Sequence, residues 1–171
     1  MPNESAIIMP VGEVEPIVAS LRMQYDKSAS LGVPAHITLL YPFRPASTAE
    51  KEIENLVEFF SAISTFEFSL AEVRRFPRTA YLHPDVPERF TDIIRKLLEK
   101  WPDCQPYHGA FQDIIPHLTV ADDVDVHELD MVQERLLHRL PVTCIAKEAW
   151  LLFSDDNGFW SKKICFPLAL P

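Results

Sequence analysis

The hydrophobic positions along this chain follow two periods, one typical of helices and one typical of strands. Four stretches carry apolar residues every three or four positions, and we predict an amphipathic helix from each of them. The helices are predicted over residues 13–27, from the capping-box pattern Ser47-Thr48-Ala49-Glu50 to about residue 63, over 87–101, and from a cap at Asp125 to residue 140.

Each predicted helix should bury one apolar stripe, and the four stripes together would form most of the interior. The side chains that we expect to face the core are Val14, Ile17, Val18, Leu21 and Tyr25; Ile53, Leu56, Val57, Phe60 and Ile63; Phe90, Ile93, Ile94, Leu97, Leu98 and Trp101; and Val126, Leu129, Val132, Leu136, Leu137 and Leu140.

Short apolar or alternating runs between these helices predict strands. Three of them cover residues 5–11, 66–71 and 79–82. Two longer runs, 142–153 and 159–166, flank Asp155-Asp156-Asn157-Gly158, which is a strong signal for a hairpin turn. The chain is therefore expected to close with two paired strands.

Two further predicted strands carry the same pattern of a histidine, an apolar residue and a threonine. They are His36-Ile37-Thr38 and His117-Leu118-Thr119, each with a proline one or two positions before the histidine. Because side chains alternate across a strand, the histidine and threonine of each motif should lie on one face, and Tyr41 and Phe43 should face the core. One copy of this pattern is more often structural than catalytic, but two copies in the two halves of the chain favour a common site.

The order helix, motif strand, helix, strand, strand occurs twice, and this repeat predicts the architecture. We expect an α+β fold in which two pseudo-symmetric lobes, each with one motif strand, form a single domain over residues 1–171. Antiparallel sheets would line one cleft, with the helices packed outside. A two-fold relation between the lobes would bring two imidazoles to opposite sides of a substrate, as a general acid and a general base.

Composition and charge narrow the range of partners. The formal net charge of −9 argues against a surface that binds long nucleic acids, because such surfaces need clustered Lys and Arg. With no signal-peptide pattern and no apolar run of membrane-spanning length, we expect a cytoplasmic protein without a membrane partner. Three widely spaced cysteines indicate reduced thiols rather than disulfides or a zinc site.

Three features together are similar to one known family. They are His-Ile-Thr-Leu-Leu-Tyr-Pro-Phe at 36–43, Pro-His-Leu-Thr-Val-Ala at 116–121, and the closing hairpin with Gly158-Phe159-Trp160 and Phe166-Pro167-Leu168. In these the chain resembles the 2′-5′ RNA ligase-like branch of the two-histidine (2H) phosphoesterases, and the likeness covers nearly the whole chain in order. It implies a bilobal fold with one cleft, no metal and no other cofactor.

The resemblance also implies phosphoester chemistry on a small nucleotide or an RNA end. The expected substrates carry a 2′,3′-cyclic or 1″,2″-cyclic phosphate or a 2′-5′ linkage, and the reaction could run in reverse as ligation. On the matching positions, the resemblance assigns catalysis to His36, Thr38, His117 and Thr119. One imidazole would deprotonate water, the other would protonate the leaving oxygen, and the hydroxyls would stabilise the phosphoryl oxygens.

One position departs from the family pattern. Many relatives carry a basic residue shortly after the second motif, where this chain has Asp122 and Asp123. Carboxylates there would repel a phosphate, which argues against the usual RNA-end substrate. The cations that could replace the missing charge, although each is also explained as a surface residue, are Arg44, Arg75, Arg78 and Lys162.

For substrate contacts we predict Arg78 and Tyr81. Tyr81, or an aromatic residue of the loop 107–111, could stack on a base, while core packing is the alternative role for each. The histidines outside the motifs have no paired spacing, and we expect surface positions for His83, His108, His127 and His138.

Two other functions are compatible with the same residues. A non-catalytic module could keep the cleft and bind a nucleotide or an RNA end, although binding alone does not need two proton carriers. A metallohydrolase could use His36 and His117, but the motifs supply too few ligands at metal-binding spacing. In each case we expect a monomer.

Overall fold

A computed structural model describes residues 3–171, apart from the side chain of Lys162. The strands are β1 (Ser5–Pro10), β2 (His36–Leu40), β3 (Phe66–Phe76), β4 (Thr79–Pro84), β5 (Leu118–Ala121), β6 (Val142–Ala146), β7 (Glu148–Ser154) and β8 (Trp160–Pro167). The α-helices are α1 (Glu15–Tyr25), α2 (Lys27–Ser30), α3 (Ala46–Ala49), α4 (Ile53–Ser61), α5 (Pro87–Lys100) and α6 (Val126–Leu137). Short 3-10 turns cover Gly12–Val14, Glu50–Glu52 and Pro106–Gly109. Within the described range, no helix is both long enough and apolar enough to cross a bilayer.

The strands form two four-stranded antiparallel sheets, which confirms the predicted α+β fold. The order of strands is β2-β1-β7-β8 in the first sheet and β5-β4-β3-β6 in the second. Each sheet has a motif strand at its edge, because β2 begins at His36 and β5 begins directly after His117. The two sheets thus present the two motifs in equivalent places.

Two of the helices, α1 and α5, cross from one sheet to the other. Helix α1 follows β1 of the first sheet but contacts β5 of the second, and α5 follows β4 of the second sheet but contacts β2 of the first. Strands β2 and β5 also contact each other. Side chains from both sheets share one hydrophobic core, for example Ile7 of the first and Leu82 of the second. A single packed interior therefore fixes the position of one motif strand relative to the other.

The first arm of the predicted hairpin is two strands rather than one. Strand β6 pairs with β3 in the second sheet, whereas β7 pairs with β1 and β8 in the first, so the chain changes sheets at Lys147. The prediction of one strand over 142–153 was wrong because the residues on both sides of Lys147 are extended and carry buried side chains, and the pattern shows no break. The turn between β7 and β8 is confirmed, with the Gly158 N–H donating to the Asp155 carbonyl at 3.0 Å.

The two predicted helix caps have different outcomes. Asp125 caps α6 as predicted: its carboxylate accepts a hydrogen bond from the Glu128 N–H at 2.9 Å, and the Glu128 side chain accepts one from the Asp125 N–H at 3.0 Å. The capping box at Ser47 was wrong, because α3 begins at Ala46 and Ser47 lies inside it. Pro45 precedes the helix, and its ring already fixes a φ angle suited to a helix start.

Most of the predicted inward stripes are buried, but three of their members are not. Val57, Val126 and Leu137 are 51%, 66% and 55% exposed. Val57 and Leu137 each follow a fully buried leucine, about 100° further round the helix, and Val126 is the first residue of α6. The buried stripes are therefore narrower than the apolar pattern suggests.

The caps give a prediction about stability. We expect Asp125→Ala to lower the free energy of unfolding by about 1 kcal/mol, because it leaves N–H groups of the first turn of α6 without an acceptor. Ser47→Ala is the matched control, since Ser47 is exposed and caps nothing, and it should change stability by less than about 0.5 kcal/mol. Urea unfolding followed by circular dichroism measures both, and equal losses in the two variants would contradict the assignment of the cap.

Candidate active site

Both motifs line one cavity between the two sheets. Its volume is about 690 Å³, and its wall includes the side chains of His36, Thr38, His117 and Thr119. The structure therefore brings together the four residues that the sequence singled out. Their part in catalysis stays a prediction until activity is measured.

Strand alternation turns each histidine and its threonine toward this cavity. His36 and Thr38 are partly exposed, whereas Ile37 between them is fully buried. The second motif repeats this arrangement, with Leu118 fully buried between two partly exposed residues. The apolar residue of each motif thus anchors the strand in the core, and the polar residues face the space between the sheets.

The imidazole of His36 is held by hydrogen bonds at both ring nitrogens. Its Nδ1 lies 2.7 Å from the Pro34 carbonyl oxygen, and its Nε2 lies 3.2 Å from the Thr38 hydroxyl. A carbonyl oxygen can only accept, so Nδ1 carries the proton of the neutral ring and donates it. Nε2 is then the nitrogen that can take up a proton, and in the free site it accepts a hydrogen bond from the Thr38 hydroxyl.

His117 repeats the bond at Nδ1 on the other sheet. Its Nδ1 lies 2.6 Å from the carbonyl oxygen of Ile115, again two residues before the histidine. The neutral ring must therefore also carry its proton on Nδ1 and keep Nε2 as the basic nitrogen. Phe76 and Tyr81 each meet the imidazole edge-on, with ring centroids 5.5 Å away, and this packing fixes the plane of the ring.

The surroundings lower the pKa of both histidines, but with different neighbours. Burial of the His36 ring among protein atoms lowers its pKa to about 4, while the Pro34 carbonyl and the Asp26 carboxylate oppose the decrease and Arg22 and His117 add to it. Burial also lowers the pKa of His117, but there the Ile115 carbonyl and the Asp122 carboxylate oppose the decrease. In both rings burial is the main cause of the lower pKa, and in both a backbone carbonyl and a nearby carboxylate oppose it.

Aromatic side chains form another wall of the cavity. Tyr41, Tyr107, Phe111 and Trp160, which we call the aromatic wall, all line it. Tyr41 meets both Tyr107 and Trp160 edge-on, with 6.2 Å between ring centroids, and Tyr107 meets Phe111 in the same way at 5.5 Å. The loop aromatics therefore line the cavity, and their stacking on a base, one of the two roles that the sequence left open, stays a prediction.

Tyr41 and Trp160 were not predicted to belong to the site. The alternation of β2 placed Tyr41 in the core beside Phe43, and only Phe43 is buried there. That prediction was wrong because the register of β2 against β1 shifts between Thr38 and Leu40, as in a β-bulge, and the bulge reverses the sides of Leu40 and Tyr41, which directly follow it. The Tyr41 hydroxyl instead donates to the Glu4 carboxylate at 2.7 Å, and its pKa is raised to about 12 by burial and this bond.

The position of Trp160 depends on a glycine in the loop before β2. The Trp160 N–H donates to the Leu31 carbonyl at 2.8 Å, directly beside Gly32, whose φ is +92°. A Cβ atom at Gly32 would lie 2.8 Å from the Trp160 carbonyl oxygen, closer than side chains tolerate. Glycine therefore lets the loop and the start of β8 touch, but nothing in the local sequence of β8 signals this contact.

The arginines considered as phosphate ligands are all paired with carboxylates. Arg44 binds Asp103 at 2.7 Å, Arg75 binds Asp130 at 2.8 Å and Arg78 binds Asp123 at 2.8 Å. None of these three lines the cavity, although Pro77 and Thr79 on either side of Arg78 do. A contact between Arg78 and substrate stays a prediction, and the side chain of Lys162 lies outside the described part of the structure.

Tyr81 lies behind the site rather than along its wall. Its side chain is 4% exposed, stacks on Phe76 with 4.5 Å between ring centroids, and touches His117 edge-on. In this position it supports the His117 ring. Stacking on a base, which the sequence analysis predicted for Tyr81, would need an exposed face that the structure does not give it.

Carboxylates line the cavity in place of cations. Asp26 is neutralised by the buried Arg22, whose Nε donates to it at 3.0 Å. Asp113 and Asp122 also lie on the wall, and Asp122 was recognised in the sequence as a departure from the family pattern. In the described part of the chain, no three His, Cys, Asp or Glu side chains come together as a metal site would need.

Several solved structures have the same fold. LigT of E. coli in its apo form matches with a TM-score of 0.61 and 17% identity, over 99% of this chain and 98% of that one. LigT of E. coli complexed with NADP⁺ matches with a TM-score of 0.61 and 14% identity, over 98% of both chains. A protein described as a phosphoesterase has a TM-score of 0.54 and 17% identity, over 98% of this chain and 99% of its own. No curated protein matches by sequence.

The fold and the site define the class of this protein: an α+β chain whose two antiparallel sheets each present a His-x-Thr motif to one cavity. The sequence model of the 2′-5′ RNA ligase superfamily matches residues 10–158. The chain belongs to this superfamily of 2H phosphoesterases, and the resemblance seen in the sequence is confirmed.

The hydrogen bonds predict the proton positions in both rings. We expect His36 and His117 to be neutral Nδ1–H tautomers at pH 7.5, because each Nδ1 faces a carbonyl that accepts only. We also expect His36 to titrate near pH 4, well below the 6.5 of an unperturbed histidine, because its cation is poorly solvated. Nitrogen-15 NMR of the labelled protein measures both, and an Nε2–H tautomer at either motif would contradict the assignment.

Proposed function

We propose that this protein is a metal-independent phosphodiesterase that opens a cyclic (2′,3′ or 1″,2″) phosphate, or cleaves a 2′-5′ phosphodiester, in a small nucleotide or an RNA end. One observation carries the proposal: two imidazoles, each with Nδ1 against a backbone carbonyl, line a single cavity together with the two motif threonines. Membership of the 2H phosphoesterases supports the same type of reaction.

The arrangement suits the displacement of a ribose oxygen from phosphorus by water. One Nε2 accepts a proton from the water as the new P–O bond forms, and the other imidazole donates a proton to the ribose oxygen as the old P–O bond breaks. Both Nε2 atoms are available for this because both Nδ1 atoms are bound to backbone carbonyls. With the hydroxyl of a second end in place of water, the same steps would join that end to the phosphorus as the ribose oxygen leaves.

Thr38 and Thr119 complete the proposed catalytic group. Their hydroxyls lie on the same wall as the histidines and can donate to the non-bridging phosphoryl oxygens, where charge builds up in the transition state. Thr38 already bonds to His36 and lies against the Tyr107 hydroxyl. A non-bridging phosphoryl oxygen of the substrate would accept the hydrogen bond that the Thr38 hydroxyl makes to His36 in the free site.

The aromatic wall supports a nucleotide as substrate. Flat rings provide stacking surfaces for a base, and stacking is worth about 1–3 kcal/mol per base. E. coli LigT, which has the same fold, has been crystallised with NADP⁺, with 3′-AMP and with ATP. We extend to this chain the binding of a small nucleotide, held by its base on the aromatic wall and by its phosphate between the motifs.

A binding module without catalysis is the second candidate. Arg44, Arg75 and Arg78 are each paired with a carboxylate and lie off the cavity wall. The described wall therefore has no Lys or Arg to neutralise a phosphate, and this favours the binding module over the enzyme. Against it, two oriented imidazoles are more than binding needs, and the threonine hydroxyls supply neutral donors that a phosphodiester monoanion can use.

Activity measurements separate these candidates. With excess chelator, purified protein should open a nucleoside 2′,3′-cyclic phosphate, and His36→Ala and His117→Ala should each lose at least about a hundredfold in kcat/KM. Thr38→Val should lose about ten- to a hundredfold. The control variants His127→Ala and His138→Ala alter exposed histidines outside the cavity and should keep full activity. Loss of activity on chelation would favour a metallohydrolase, and binding without turnover would favour the module.

The aromatic wall gives a separate prediction for binding. We expect Trp160→Ala to raise KM for a cyclic nucleotide by about tenfold and to leave kcat within about twofold, since it removes a stacking surface and no proton carrier. Trp150→Ala is the matched control, because Trp150 is also partly buried on the first sheet but does not line the cavity. Steady-state kinetics on both variants test this; an unchanged KM in Trp160→Ala contradicts a stacking role.

A further inference from the structure

We propose that Glu15 and Arg22 of α1 are positioning residues for the first motif. They hold the backbone on both sides of Pro34, so that the Pro34 carbonyl keeps the His36 imidazole oriented for proton transfer. This inference rests on the proposed function, because both residues would serve the acid–base pair through His36. The bond from the His36 Nδ1 to the Pro34 carbonyl is local, but its acceptor lies before β2 begins. The strand therefore supplies the ring, and α1 holds the carbonyl in place.

Glu15 supplies a hydrogen-bond acceptor at the end of the ladder between β1 and β2. Pro10, the last residue of β1, pairs with His36. In the same register Val11 lies opposite Ala35, and the Val11 N–H donates to the Ala35 carbonyl at 2.9 Å, as in an antiparallel pair. The Ala35 N–H, however, donates to the Glu15 carboxylate at 2.6 Å. A side chain of α1 thus takes the place of a main-chain acceptor directly before the motif.

Arg22 holds the backbone on the other side of Pro34. Its guanidinium donates to the Val33 carbonyl at 3.1 Å, to the Ser28 hydroxyl at 3.1 Å and to the Asp26 carboxylate at 3.0 Å. The Val33 N–H donates to the Ser28 carbonyl at 3.0 Å. Both main-chain polar groups of Val33 are therefore bound to Arg22 itself or to a residue that Arg22 contacts.

These bonds leave the segment around Pro34 little freedom to rotate. Pro34 has no N–H, so its carbonyl is its one main-chain polar group, and this carbonyl accepts from the His36 ring. Every main-chain N–H and carbonyl from residue 33 to residue 35 has a partner. Because turning this segment would break several of these bonds together, the direction of the Pro34 carbonyl is fixed.

Helix α1 connects this segment to the second motif strand. Glu15 and Arg22 are seven residues apart, which is two helical turns, and so they lie on one face of a rigid element. The same helix contacts β5, and its last residue, Tyr25, accepts a hydrogen bond from the Asp122 N–H at 2.9 Å, directly after that strand. The helix that holds the Pro34 carbonyl is therefore also anchored beside the strand that follows His117.

The burial of the ion pair between Arg22 and Asp26 agrees with a positioning role. The two residues are 2% and 5% exposed. Removing two charges from water costs about as much as their attraction returns, so a buried ion pair is a poor means of stabilising a fold. A planar guanidinium, however, holds several acceptors in a fixed arrangement. We therefore assign to this pair the conformation of the loop before β2.

Kinetics of Glu15 variants test the inference. On uridine 2′,3′-cyclic phosphate, Glu15→Ala should lower kcat about five- to thirtyfold and leave KM within about twofold, because it loosens a proton carrier and removes no part of the cavity wall. Glu15→Gln keeps an acceptor oxygen and should restore kcat to within about threefold of the wild type. A Glu15→Ala variant with wild-type kcat overturns the role of Glu15.

Glu13→Ala is the matched control for these measurements. The Glu13 carboxylate also accepts a hydrogen bond from a backbone N–H, that of Ile145 at 3.2 Å, but Ile145 lies on β6 and neither residue lines the cavity. This variant loses the same kind of bond at another place and should keep kcat and KM within about twofold. A decrease in kcat equal to that of Glu15→Ala would show a general effect on the fold and overturn the inference.

Nitrogen-15 NMR of the His36 ring is the readout that a purely structural role would not move. In Glu15→Ala and in Arg22→Lys the Nε2–H tautomer of His36 should appear, because its Nδ1 loses a firmly held acceptor, while His117 should keep its Nδ1–H tautomer. An unchanged His36 tautomer in both variants overturns the inference. If Arg22→Lys unfolds, or folds with an unchanged His36 ring, the positioning role of Arg22 is overturned.

The outcomes distinguish this inference from the proposed function. If the wild type does not open the cyclic phosphate but the His36 tautomer responds to Glu15→Ala, the proposed function fails and the positioning of the ring stands. If the wild type is active and Glu15→Ala changes neither kcat nor the tautomer, only the inference fails.

Discussion

The hydrogen bond from each imidazole to the carbonyl two residues before it is the interaction on which the site depends. In both motifs it fixes the ring, places the neutral proton on Nδ1 and leaves Nε2 for proton transfer. The bond is local, formed within one strand and the residues that lead into it. Any strand that carries such a motif can orient its own histidine, but a strand cannot bring a second histidine to the same substrate.

Packing of the shared core is what brings the second histidine to the same cavity. Helices α1 and α5 each leave one sheet and cover the motif strand of the other, and side chains of both sheets join one core. The interior is close-packed, so one motif cannot shift relative to the other without opening space between side chains. Local hydrogen bonds thus orient each imidazole, and the shared core sets how the two imidazoles face each other.

The parts of this molecule that follow from period and alternation could be predicted from the sequence. They include α1, α5 and α6, the cap at Asp125, the motif strands and the side on which each histidine lies. The predictions were wrong where contacts with distant parts of the chain determine the structure. The bulge that turns Tyr41 into the cavity depends on the pairing of β2 with β1. The change of sheet at Lys147 depends on which strand each side of the chain can pair with. Val57 is exposed because no other element covers it. Trp160 was missed because its place depends on Gly32, far away in sequence.

The passage from β6 to β7 at Lys147 has a consequence for how the protein is made. The first sheet contains β1 and β2 from the beginning of the chain and β7 and β8 from its end, whereas the second is built from strands in between. While a ribosome is still synthesising the chain, β1 has only β2 beside it and lacks the neighbour on its other side. Contacts between such distant segments form late and cost loop-closure entropy. The strand with His36 therefore reaches its final setting only after translation has passed β7, so a chain released before that point has no complete site.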